Sequence, residues 1–161
     1  MKKEENQPNS GGIHPFMTKN DCSELIFDFD QYPIVPVTFK YNDKKTPIIE
    51  SLLDSGGDFI VMPMPIASFL GLPLEPACDV DTAGGTTTLY RAKLDMLIGK
   101  QQQCILYKDQ EIHVSCREDI PVLLGRNPVF HDHEITFKKQ KKQLIMIPSN
   151  HQIHCSIPHD F

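Results

Sequence analysis

Leu52-Leu53-Asp54-Ser55-Gly56-Gly57-Asp58 is the stretch on which the fold turns. An apolar pair runs straight into a carboxylate, and an acidic side chain at the end of a buried strand is costly unless it has a partner or a task. Gly56 and Gly57 then permit close backbone approach and positive φ. The Ser55 hydroxyl can hold the turn by a local hydrogen bond. Taken alone, these residues read equally well as the turn of an ordinary hairpin.

Working outward, the flanks read as strands. Val35, Val37, Phe39 and Tyr41 alternate with more polar positions, as in a half-buried strand. Asn42-Asp43-Lys44-Lys45 is a turn, and Pro47-Ile48-Ile49 begins the return strand that runs into Asp54. Phe59-Ile60-Val61-Met62 reads as a short buried strand. Ile66, Phe69 and Leu70 show helical spacing between Pro65 and Gly71, which predicts two turns of helix. Over residues 88–98 the alternation is cleanest: Tyr90, Ala92, Leu94, Met96 and Ile98 share one face, Arg91, Lys93 and Asp95 the other. Strands are expected at 104–107 and 112–116, joined by a polar turn at Lys108-Asp109-Gln110-Glu111. Residues 120–124 form a continuous apolar run that ends at Gly125. A last hairpin at 135–137 and 144–147 encloses the lysine-rich 138–142. Short, evenly spaced strands with turn signals predict an all-β barrel or sandwich.

Two further signals share the order of the chain with Asp54. Ala83-Gly84-Gly85 lies between strand-like segments; it is either a plain hairpin tip or a flap whose backbone closes over an extended peptide. Val122-Leu123-Leu124-Gly125-Arg126 is, by itself, a buried strand and a turn. Asp-Ser-Gly after an apolar strand, a glycine-rich hairpin, and two apolar residues before Gly together resemble the retropepsin-like (retroviral-protease-like) aspartic peptidases. Leu124-Gly125-Arg126-Asn127-Pro128-Val129-Phe130 with Ile135-Thr136-Phe137 is similar to their cellular, non-viral members. The resemblance covers roughly residues 33–148. It departs at Gly57, where that family usually carries Ala; Gly fits but loosens the loop.

The resemblance implies a closed β-barrel with one or two short helices, active as a symmetric homodimer. Peptide hydrolysis with neither metal nor covalent nucleophile needs an activated water. Two carboxylates sharing one proton supply it: one takes a proton from water while the other gives one to the carbonyl oxygen. Close like charges split the apparent pKa values of such a pair. The chain carries one Asp-Ser-Gly, so the second carboxylate must come from a symmetry mate. Asp54 is then catalytic, with Ser55, Gly56, Asp58, Gly125 and Arg126 as active-site support. Gly56, Asp58, Ala83, Gly84 and Gly85 would hold substrate backbone. Asp58 and Arg126 would pair and brace the site, as a buried pair whose disruption costs about 3–5 kcal/mol. The alternative is a catalytically silent peptide-binding or dimerisation module with the same fold; the intact Asp54-Ser55-Gly56 favours the peptidase.

Composition sets the rest. A chain of 161 residues argues for one domain, expected over 22–149, with a flexible arm at 1–21 and a polar tail at 150–161. Thirteen prolines argue against long helices. A net charge of −5 gives no sign of nucleic-acid binding. Five cysteines without a CxxC pair read as independent thiols in a reducing compartment. The polar start lacks the apolar run of a signal peptide, and no stretch is long enough to span a membrane, so a cytoplasmic protein with no membrane partner is expected. Its partners would be itself and a peptide or protein substrate.

Rival motifs are weaker. Asp28-Phe29-Asp30 lacks the context of a phosphoryl-transfer site, and Gly99-Lys100 lacks the spacing of a phosphate-binding loop. His151, His154 and Cys155, near His131, His133 and His159, fit no zinc spacing and read as a polar tail. No metal or other cofactor is expected.

Overall fold

Val35, Val37 and Phe39 are fully buried, as their alternation requires, and the strands close round them. The computed structural model describes residues 24–82, 85–100, 103–149 and 161. The arm at 1–21, Cys22, the glycine-rich tip at Ala83 and Gly84, and residues 150–160, with His151, His154, Cys155 and His159, lie outside the described residues.

In chain order the strands are β1 (Leu25–Asp28), β2 (Ile34–Tyr41), β3 (Lys44–Lys45), β4 (Ile49–Leu53) and β5 (Ile60–Pro63). Helix α1 (Met64–Leu70) follows, then β6 (Glu75–Thr82), β7 (Gly85–Lys100), β8 (Gln103–Ser115), β9 (Val122–Leu124), β10 (His133–Lys138) and β11 (Gln143–Pro148). Strands β2, β4, β9, β5, β8 and β7 are hydrogen-bonded in that order, and β7 returns to β2. The result is a closed six-stranded barrel. Its interior is filled by Val37, Phe39, Ile60, Met62, Met96, Ile98, Ile105, Ile112, Val114 and Leu124. A separate sheet, β1-β11-β10, lays Leu25, Phe27, Leu144 and Met146 against the same core. No helix among the described residues is long and apolar enough to cross a membrane.

Helix α1 ends as its sequence predicts: Gly71 takes the left-handed conformation (φ 71°, ψ 39°) and donates its N–H to Ser68 O at 3.1 Å. Its buried face is Ala67 and Leu70, however, while Phe69 points outward. Phe59 likewise lies before β5, and its side chain is exposed.

The largest departure is at Lys108-Asp109-Gln110-Glu111, which is no turn. Strand β8 runs straight through it, paired to the 16-residue β7. The register slips, with Leu94 opposite Gln110 and Met96 opposite Tyr107, so a bulge absorbs the polar residues. Asp109 adopts φ 49° and its N–H donates to Asp95 Oδ1 at 2.9 Å. Turn chemistry is therefore present, but spent inside a strand. Strand β1 is not among the strands the sequence predicts; it pairs with β11. Cys78, Cys104 and Cys116 form no disulfide.

Candidate active site

Strand β9 sits between β4 and β5, parallel to β4 with Leu52 opposite Leu123 and Leu53 opposite Leu124. This insertion brings together two segments far apart in sequence, the Asp54 loop and the Gly125 loop. Asp54 N–H continues the pairing by donating to Leu124 O at 3.0 Å. The chain then turns back on itself. Gly57 N–H donates to Asp54 O at 3.2 Å, and Gly56 N–H donates to Asp54 Oδ1 at 3.0 Å. One carboxylate oxygen is thus held by the backbone of its own loop, while the side chain stays partly exposed.

The glycines leave room for that carboxylate. A Cβ at Gly56 would come within 3.3 Å of Asp54 Oδ1, and one at Gly57 within 3.1 Å of Oδ2. Gly57 therefore removes a methyl group that would crowd the second oxygen. Gly125 is under a stronger constraint. Its φ of −75° suits any residue, but a Cβ there would lie 2.2 Å from Phe59 O.

Arg126 then closes the two loops on each other. Its N–H donates to Gly57 O at 2.8 Å, Asn127 N–H donates to Asp58 O at 3.0 Å, and the Arg126 guanidinium pairs with the Asp58 carboxylate. The expectation of a buried pair needs correction: Arg126 and Asp58 are 51% and 62% exposed in the single chain. A pair this open to water contributes only about 0–1 kcal/mol. Bracing inside one chain rests more on the two backbone bonds. Ser55 is exposed, and its hydroxyl bonds to none of the described residues.

Strands β6 and β7 pair antiparallel, with Thr82 facing Gly85. Pairing of β7 with β8 begins only at Leu89, so residues 79–82 and 85–88 form a two-stranded ribbon projecting past the barrel. Gly85 is exposed at φ 104°, a conformation that favours glycine.

One residue beside the site was missed. His113 on β8 is 5% exposed and stacks under Phe59, with ring centroids 4.4 Å apart and planes at 30°. Burial, together with Arg91 and against the opposing pull of Glu111, holds its pKa below the ordinary histidine value of 6.5. The only signal in the sequence was a histidine between Ile112 and Val114 in a strand. Among the described residues, no group of three potential metal-ligating side chains comes together.

The sequence matches no family model and no curated protein. Among solved structures, the chain is similar to a retropepsin-like aspartic protease from Rickettsia conorii. The identity is 20% and the TM-score 0.57, over 76% of this chain and 97% of that one. Two more similar structures are EIAV protease in complex with the inhibitor HBY-793 and the retroviral protease-like domain of Ddi1 from Leishmania major. The first has 17% identity and TM-score 0.47, over 65% of this chain and 91% of that one. The second has 14% identity and TM-score 0.49, over 73% and 92%. The six-stranded barrel, with β9 laid between β4 and β5 beside Asp54, is the retropepsin-like aspartic protease fold, and the chain has that fold.

Proposed function

We propose that the chain is one half of a homodimeric aspartic endopeptidase that cleaves extended polypeptide segments. The observation that carries this reading is the placement of Asp54. It is a partly exposed carboxylate at the end of a buried strand, with one oxygen fixed by Gly56 N–H and the other beside the open flank of Gly57.

A two-fold axis past the exposed side of this loop brings a second Asp54 beside the first, and a water held between them is activated as follows. The ionised carboxylate accepts a proton from the water as it attacks the peptide carbonyl, and the protonated one donates to the carbonyl oxygen. The Ser55 hydroxyl, unengaged among the described residues, links the two loops across the axis. Gly56 and Asp58 on one side, and Ala83, Gly84 and Gly85 on the other, hold the substrate backbone by main-chain hydrogen bonds, as in strand addition. Ribbon closure excludes water from the cleft.

A fluorogenic peptide library assay tests this, run with wild type and Asp54→Asn and paired with sedimentation at the assay concentrations. Cleavage that vanishes in Asp54→Asn and tracks the dimer fraction is expected. Peptide binding without turnover by the wild type would instead assign the chain to the silent-module reading.

A further inference from the structure

Phe59 occupies an unusual position. It follows Asp58 directly, and its main-chain N, C and O atoms lie within 2.7 Å of where a Cβ on Gly125 would sit, so its backbone is wedged at the crossing of the two site loops. Yet the residue is 41% exposed, and the aromatic support of its ring is His113. That imidazole projects from β8 on the face it shares with Val61 of β5 and Arg91 of β7, its register partners. Its Nδ1 is buried without a hydrogen-bond partner among the described residues.

We propose that His113 is a positioning residue for the Asp54 site: while neutral it seats the Phe59 ring and thereby the Asp58–Gly125 crossing, and on protonation it releases them. This rests on the peptidase reading above. A neutral imidazole stacks on Phe59 without needing water. An imidazolium there carries an Nδ1–H with no acceptor, and burying an unpaired charge is costly. The charged groups that face it are Arg91 from β7, which disfavours the cation, and Glu111 from its own strand, which favours it; Val61 of β5 offers no charge. Protonation is relieved by outward rotation of the imidazole, which leaves Phe59 unsupported beside Gly57, Asp58 and Arg126. Acid then disables the loop through a group that never touches substrate.

Histidine and backbone-amide NMR of the full chain across pH 4.5–8 tests the coupling without reference to catalysis, at about one point per half pH unit. His113 is expected to titrate below 6.5, with the amides of Gly57, Asp58, Phe59, Gly125 and Arg126 shifting at the same midpoint. In His113→Phe, which keeps an aromatic ring and cannot protonate, those shifts should disappear. Amides that stay still while His113 titrates in the wild type overturn the proposal, and that result needs no variant to fold. In the cleavage assay the wild type should lose about tenfold in kcat/KM per pH unit below the His113 midpoint, and His113→Phe should lack that limb. An unchanged limb in the variant overturns the proposal while leaving the peptidase reading intact. Coupled amide shifts in a protein that cleaves nothing support the His113 linkage and overturn the peptidase reading.

Discussion

The Asp54 loop and the β6–β7 ribbon both depend on glycine, for opposite reasons. Gly125 has an ordinary backbone conformation, but Phe59 O would lie 2.2 Å from any Cβ it carried. Gly85 has a left-handed φ of 104°, but nothing lies within 4 Å of its missing Cβ. The first glycine is demanded by packing between two chain segments, the second only by the local course of one. Around Gly125, three backbone hydrogen bonds tie the loops together; residues 79–82 and 85–88 of the ribbon are register partners of each other, outside the β7–β8 pairing. One end of the site is thus built from contact between distant segments, while the other is a local hairpin.

The contrast makes its strongest prediction at these two positions. Gly125→Ala forces Phe59 and β9 apart, and overpacking of this kind costs about 1–3 kcal/mol, or more where backbone must move. Urea unfolding should show the loss as a lower midpoint. Gly85→Ala bears a strain of about 1–2 kcal/mol, confined to the ribbon. Its amide exchange should quicken locally, and the global midpoint should fall by less than for Gly125→Ala. Equal global losses for the two would erase the distinction.

Acid should separate the regions next. His113 beside the site and His133 beneath the 126–132 turn are each 5% exposed. Burial is the main cause that lowers both pKa values below 6.5, for His133 against the opposing effects of Val129 O and Asp132. The unfolded chain then binds protons more readily than the native one. Stability should therefore be intact above pH 6.5, fall as pH drops from there towards the folded pKa values, and decline no further from these groups below them. Denaturation midpoints at several pH values check this, and His133→Gln should remove part of the slope. A flat profile through this window would contradict it.

Arg126→Ala should have a smaller effect on the isolated chain. Its exposed pair with Asp58 is worth about 0–1 kcal/mol, and the backbone bonds from Arg126 N–H and Asn127 N–H remain. A larger loss seen only in dimer dissociation would show that assembly buries the pair, which sharpens the contrast between chain and dimer. Gly57→Ala should be smallest, because its Cβ would approach Asp54 Oδ2 at 3.1 Å and a shift of a few tenths of an ångström relieves it. Thermal unfolding within about 2 °C of wild type is expected, on the order of 0.5 kcal/mol or less.

Much of this was legible in the chain. The strand into Asp54, the 88–98 strand and the helix stop at Gly71 follow from alternation and capping, which are local. The ordered glycine motifs carried the fold by resemblance. The misread parts were those decided by distant partners. Lys108-Asp109-Gln110-Glu111 has the composition of a turn, and only the length of β7 opposite it makes it a bulged strand. Strand β1 exists because β11 offers an edge to it. His113 sits in an unremarkable strand run, and its importance depends on Phe59 reaching it across the fold. The exposure of the Asp58–Arg126 pair was invisible for the same reason, since burial is a property of neighbours.

The proposed shared-carboxylate site is tested most directly by mixing. Wild type and Asp54→Asn chains, dissociated together and allowed to reassociate at equal amounts, should leave about a quarter of the activity of the same total amount of wild type, because the proposal requires two intact Asp54 residues per dimer. Activity that falls in simple proportion to the wild-type fraction, to about half, would contradict the account by showing that each chain acts on its own carboxylate.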